Sequence, residues 1–152
     1  MFPHWVHKNY PYGQFSVDHL GKMTAGIKCF NDQHYWECHE ELEDVWLEDR
    51  NDPARYVYWA VIQVAACMVH FRDKKIIGAQ GMIKKAKEKF QFCRDKKVLT
   101  DLAFDFLSWQ ELEELVFSIP AEEAELDHFA KLYEFRFLQF PFDYFTLENN
   151  NK

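Results

Sequence analysis

A single-domain, all-α bundle of five to seven helices is the architecture this chain predicts, and three observations lead to it. Gly and Pro number only 5 each in 152 residues, so long stretches run without a breaker. Charged residues make up 28% of the chain and alternate with apolar ones at spacings of three and four. Hydrophobic residues make up 48%, and a chain of this length buries one core without disulfides or a structural metal.

Met1 to Phe15 mixes aromatics with Pro and Gly and reads as an irregular arm. Ser16 with Asp18 opens a first helix expected to run to about Phe30. Asn31 and Asp32 then supply stop and cap chemistry before a second helix from about Gln33 to Glu48. Asp52-Pro53 pairs an N-cap with proline at the first helical position, and no breaker follows until about Phe71. This third helix is apolar all round, with Val57, Val61, Val64 and Met68 on one stripe and Trp59, Ala66 and Cys67 on the other side. It is therefore expected at the centre, with neighbours on both faces.

From Ile76 a fourth helix is amphipathic, its apolar stripe running through Ala79, Met82, Ile83, Ala86 and Phe90, with lysines at 84, 85, 87 and 89. Ser108 with Glu111 reads as a capping box for a helix over Trp109 to Phe117, and Pro120 as the opening of another through about Tyr133. The tail from Glu134 is dense in Phe and fits a strand, a helix or an extended clasp equally, with disorder expected from Asn149 to Lys152. Three segments result: an arm over 1–15, a helical domain over 16–133 and a Phe-rich tail over 134–152.

A net charge of −7 argues against a general nucleic-acid binder. The charge is uneven, because Arg72 to Lys97 holds ten Lys or Arg against three acids. That segment is either a solvated helix face or a docking surface for an anion or for an acidic patch on another subunit. Cys29, Cys38, Cys67 and Cys93 form no C-x-x-C pair and read as reduced core residues. No signal peptide and no apolar run of membrane-spanning length is present, so the cytoplasm is the expected compartment. The 27 aromatic residues, 15 Phe, 7 Tyr and 5 Trp, exceed what one core of this size normally needs, and some are expected at a pocket or a subunit interface.

The polar residues that stand out lie on the second and third helices. At 100° per residue, Tyr35, His39, Leu42 and Trp46 share one arc, with Trp36 and Glu43 beside it, while Glu41 and Asp44 face water. A carboxylate at the edge of an aromatic stripe needs a partner, and His39 one turn back is the nearest. Gln63 and His70 share a stripe with Trp59 and Ala66 on the third helix, where small residues allow the two helices to approach closely. Two imidazoles and a carboxylate, His39, His70 and Glu43, suit Zn²⁺, Mn²⁺ or Fe²⁺, with Glu40 as the candidate general base. The same residues suit a buried network in which His39, Glu43, Gln63 and His70 satisfy one another and fix helix register. His4, His7, His19, His34 and His128 read as surface or cap residues, and Gly78-Ala79-Gln80-Gly81 is too short for a phosphate loop.

Phe30-Asn31, Tyr35-Trp36-Glu37, His39-Glu40-x-Leu42-Glu43-x-x-Trp46, Ile62-Gln63-Val64-Ala65-Ala66, His70 and Gly78-Ala79 together resemble the "domain of unknown function 309" family. The likeness covers about residues 28–90. It implies an all-α domain in which the H-E-x-L-E-x-x-W helix packs against the Gln-and-His helix. It also implies motif positions at His39, Glu40, Glu43, Trp46, Gln63 and His70, and a likeness to proteins labelled metal-dependent hydrolases. Where the second His of the H-E-x-x-H metalloprotease motif would stand, this chain has Glu43, so a protease is not implied.

Two functions follow as expectations. One is a metal-assisted hydrolase acting on a small molecule, with His39, Glu43 and His70 as ligands and Glu40 or a bound water as base. The other is a non-catalytic binding or scaffolding module in which His39, Glu43, Trp46, Gln63 and His70 form a structural polar network and the aromatic arm, the Phe-rich tail or the basic helix supplies the surface for protein partners, a second copy of the chain among them.

Overall fold

The computed structural model describes residues 4–150, leaving aside the side chains of His4, His7 and 147–150. Among the described residues there are nine α-helices and no strand: α1 (Val17–Lys22), α2 (Thr24–Asn31), α3 (Tyr35–Glu48), α4 (Tyr56–Arg72), α5 (Ile76–Asp95), α6 (Asp101–Phe106), α7 (Trp109–Ser118), α8 (Ala130–Glu134) and α9 (Phe142–Asn150). The disorder expected for Asn149 to Lys152 falls outside the fully described residues, as do the side chains of His4 and His7.

The all-α class and the central apolar helix hold. Val57, Tyr58, Ala60, Val61, Ile62, Val64, Ala65, Cys67 and Met68 of α4 are all buried, so this helix contributes nearly its whole circumference to the core. Its start follows from Asp52, whose carboxylate accepts from the Ala54 N–H at 2.9 Å, with Pro53 at the first position of a short 3₁₀ turn. On one side α5 runs antiparallel to it, with Tyr56 stacked on Phe92 near one end and His70 against Gly78 near the other. On the other side α3 is also antiparallel, joined by Trp46 and Trp59 near the connecting loop. At the far end Arg72 donates to the Gln33 carbonyl at 2.7 Å and lies over the Tyr35 ring. In turn α2 packs on α3, where a Cβ on Gly26 would stand 2.5 Å from Leu42, so only glycine permits this crossing.

Four expectations about elements are corrected. The first helix is two, because the Thr24 hydroxyl takes the Gly21 carbonyl at 2.6 Å and the chain restarts at α2. The Ser108–Glu111 capping box does not form. Ser108 is left-handed (φ 46°) with no side-chain cap bond, and burial of Trp109 against Phe90 sets the entry to α7. Pro120 does not open a helix, since Glu123 is also left-handed (φ 56°), and helical structure resumes only at Leu126. Asp101–Phe106 is helical where no helix was expected.

The Phe-rich tail is an extended clasp that ends in α9. The Asn31 carboxamide accepts from the Phe137 N–H at 2.8 Å and donates to the Phe137 carbonyl at 3.3 Å, imitating a strand partner. Phe30, Phe135 and Phe137 then meet edge to face with centroids 4.9–6.3 Å apart. The arm closes over the opposite end, with Trp5 against Phe106, Tyr144 and Phe145, and with Lys8 and Tyr10 both bonded to Asp101.

Asn31→Ala leaves the backbone N–H of a fully buried Phe137 unpaired and its carbonyl with only the Phe140 N–H at 3.4 Å, and chemical denaturation should report a loss of about 1–3 kcal/mol. All four cysteines are free. Burial raises the Cys38 and Cys93 thiols and pushes Cys67 up to about 12, while Cys29 is half-buried and raised by burial and then by Glu41, Glu37 and Asp32. At pH 8 a disulfide reagent should therefore modify only Cys29 in native protein, and slowly, but all four once the protein is unfolded.

Candidate functional site

The sequence of α3 places two kinds of residue on adjoining arcs. Tyr35, Cys38 and Leu42 are buried, and the arc beside them, facing the α4 edge, holds Trp36, His39, Glu43 and Trp46. On α4 the half-buried positions Tyr56, Trp59, Gln63, Ala66 and His70 form one stripe at three- and four-residue spacing, with Val69 and Phe71 half-buried beside it near the C-terminal end. On α5 the matching flank is Gly78, Met82, Lys85, Lys89 and Phe92. These three strips form a single face with α4 as its floor and α3 and α5 as its rims.

Aromatic and cationic contacts knit the upper half of the face. Trp46 meets Trp59 edge-on at 4.9 Å, the Arg55 guanidinium lies 4.2 Å above the Trp46 ring, and the Lys89 ammonium lies 4.4 Å above Trp59. Lower down, Trp36 stacks flat on His39, with centroids 5.0 Å apart and planes within 5°. His39 Nδ1 lies 3.5 Å from a Glu43 carboxylate oxygen, too long for a strong hydrogen bond, with side chains 23% and 50% exposed. The pairing expected between His39 and Glu43 is thus present as proximity.

The five-residue polar network does not close on itself. His39 Nδ1, Trp46 Nε1 and Gln63 Oε1 are shielded from solvent and have no hydrogen-bond partner among the described residues. His70 is not drawn toward His39 and Glu43. Its ring lies flat against Gly78 of α5, where a Cβ would come within 2.4 Å of Nδ1, and it borders an open depression with Lys75, Ile76 and Ile77. The reason is register: with Trp46 opposite Trp59 in an antiparallel pair, His39 stands level with about Ala66, one turn short of His70. Among the described residues no group of three or more His, Cys, Asp or Glu side chains is placed to hold a metal ion, so His39, Glu43 and His70 are not assembled as one ligand set. Glu40 is exposed on the outer side of α3, as are Glu41 and Asp44.

A second polar chain was not anticipated. His19 is buried; Ser16 Oγ lies 2.8 Å from its Nδ1, the Ser16 N–H donates to the same nitrogen at 2.9 Å, and its Nε2 reaches Asp52 at 2.7 Å. With Nδ1 accepting two donors and Ser16 capping α1, this chain ties α1 to the start of α4. Its sequence signal is S-x-x-H at a helix start. The basic segment of α5 was expected as either a solvated face or a docking surface, and Lys85 and Lys89 lie on the side of the helix that Gly78 and Phe92 share.

Residues 23–82, which carry α2, α3, α4 and the first turns of α5, match the family described as "Domain of unknown function (DUF309)". Over that segment, less than half of the chain, the protein is similar to this family. Every motif position that the resemblance singled out, apart from the exposed Glu40, lies on the face just described. The chain is also similar to the "Uncharacterized protein YpuF" of Bacillus subtilis (strain 168), at 29% identity over 106 residues. That match covers 70% of this chain and 56% of YpuF, so the chain spans little more than half the length of that relative. No solved structure matches.

Two glycines of α5 allow a paired test. Gly78→Ala forces the His70 ring away and should cost about 1–3 kcal/mol in denaturant unfolding, whereas Gly81→Ala, with nothing within 4 Å, should be neutral or gain up to about 1 kcal/mol.

Proposed function

We propose that the protein is a non-catalytic protein-binding module whose working surface is the α3–α4–α5 face. The observation that carries this reading is that α4, the most apolar of the described helices, is buried through its middle except along the half-buried stripe of Trp59, Gln63, Ala66 and His70, its other half-buried or exposed positions, Tyr56, Val69, Phe71 and Arg72, lying toward its ends. Two large apolar side chains on the α3 rim continue that stripe outward, Trp36 at 53% and Leu47 at 40% exposure. Tryptophans beside Arg and Lys, with shielded polar atoms that lack partners, are the composition of a protein-binding patch. The depression at its edge by His70 is open, unlike the enclosed pockets that hold small molecules.

A metal-assisted hydrolase is the second reading, favoured by the adjacency of His39 and Glu43 on one helix face. That pair is a donor set of two side chains, short of the three that catalytic zinc sites use, so no reaction step is derived from it.

Two measurements separate the readings. A photo-crosslinking phenylalanine in place of Trp36 should yield a discrete covalent adduct in cells, while the same group in place of the exposed Glu111 on α7 should not; absence of an adduct at position 36 overturns the binding reading. Elemental analysis of tag-free protein purified without chelator should find no stoichiometric metal. About one metal per chain, lost in both His39→Ala and His70→Ala, would instead support the hydrolase.

A further inference from the structure

We propose that the occupant of this face is a second copy of the chain, docked about a two-fold axis parallel to α4. This rests on the reading of the face as a protein-binding surface and adds what binds there.

The argument is one of charge and register. All six charged side chains of α3 other than its histidine are acids, and Glu43 lies on the rim beside the face. The α5 rim carries Lys85 and Lys89. The face is therefore acidic along one edge and basic along the other, with an aromatic and small-residue floor between. Two-fold symmetry acts on such a face in a definite way. An axis across α4 sets like rim against like rim. An axis along α4 exchanges the rims and sets each acidic edge against the other copy's basic edge.

The levels along the helices agree with that axis. Trp59 touches Trp46 on one rim and lies beneath Lys89 on the other, while His70 meets Gly78. One helical turn from the Trp59 level, Glu43 and Lys85 stand at the height of Gln63. Rotation about an axis along α4 preserves height, so Glu43 of each copy faces Lys85 of the other, twice over. At the centre Ala66 is small enough for close approach, and Trp36 and Leu47 are the apolar area that the contact would cover. The face is about 25 Å long, from 17 residues of helix, and about 20 Å wide, from two interhelical spacings. That is the lower end of specific interfaces, which sets the expected dissociation constant in the micromolar range, sensitive to salt.

The test is sedimentation velocity on the tag-free full chain from about 1 to 200 µM, at low salt and at about 0.5 M NaCl. The expected result is a concentration-dependent dimer that salt weakens. Glu43→Lys alone and Lys85→Glu alone should each weaken it by about tenfold or more, because each places like charges together at both ends of the symmetric contact. Both positions are exposed, and circular dichroism confirms that the variants fold. An equimolar mixture of the two variants should dimerise again, since in the mixed dimer one rim pair is restored with reversed sign and the other with its original sign. A wild-type chain monomeric throughout, a dimer indifferent to both variants, or a mixture that fails to re-associate overturns the proposal. The crosslinker at position 36 tells that failure from failure of the face itself. An adduct of twice the chain mass supports both readings, an adduct with another protein overturns only the dimer, and no adduct overturns both.

Discussion

The burial of α4 is the constraint on which the rest of the structure depends. A helix apolar over almost its whole circumference must be surrounded, and one 17-residue helix needs several neighbours to do so. The chain supplies α3 and α5 as long antiparallel flanks and fills the remaining side with short elements from both ends. Those short elements are held by specific bonds as much as by packing. Arg94 of α5 makes two bonds to the buried Glu113 of α7, and Thr100 bonds the Phe15 carbonyl at 2.6 Å. A buried carboxylate is tolerated there because the bidentate guanidinium replaces its water.

Covering one apolar helix with two flanks of opposite charge has a further effect. Each flank keeps its own solubility, yet the strip of α4 between them lies in a field that runs from negative to positive across the face. The stacking of Trp36 on His39 and of Lys89 on Trp59 shows the same division in miniature, with a stacked ring pair on the acidic side and a lysine ammonium over a ring on the basic side. Orientation of any ligand on this surface is thereby set before contact is made.

The long helices were legible in the sequence because their periodicity extends over three turns or more. Their junctions were legible only in part. At the ends of α2, α4 and α5 the chain turns through Gln33, Lys74 and Lys97, all left-handed and none a glycine, so the commonest stop signal is missing at each. Ser108 and Glu123 are left-handed for the same want of a marker, and α6 is too short for a periodic pattern to register. For the site, the wheel correctly gathered His39, Glu43 and Trp46, and separately Gln63 and His70. What it could not convey was the offset between the two helices, which places His70 a turn beyond His39 and turns it toward Gly78. That offset is set by Trp46 packing on Trp59, a tertiary contact with no local signature.

The bond between Asn31 and Phe137 spans 106 residues of sequence. During synthesis α2, α3 and α4 are made long before the segment that seals them exists, so the apolar side of α2 near Phe30 waits uncovered until Phe137 has been added about 100 residues later. Closure of this end of the domain therefore follows its long helices, and a chain that stalls or is truncated before Phe137 presents an open aromatic surface to the chaperones and proteases that survey nascent proteins.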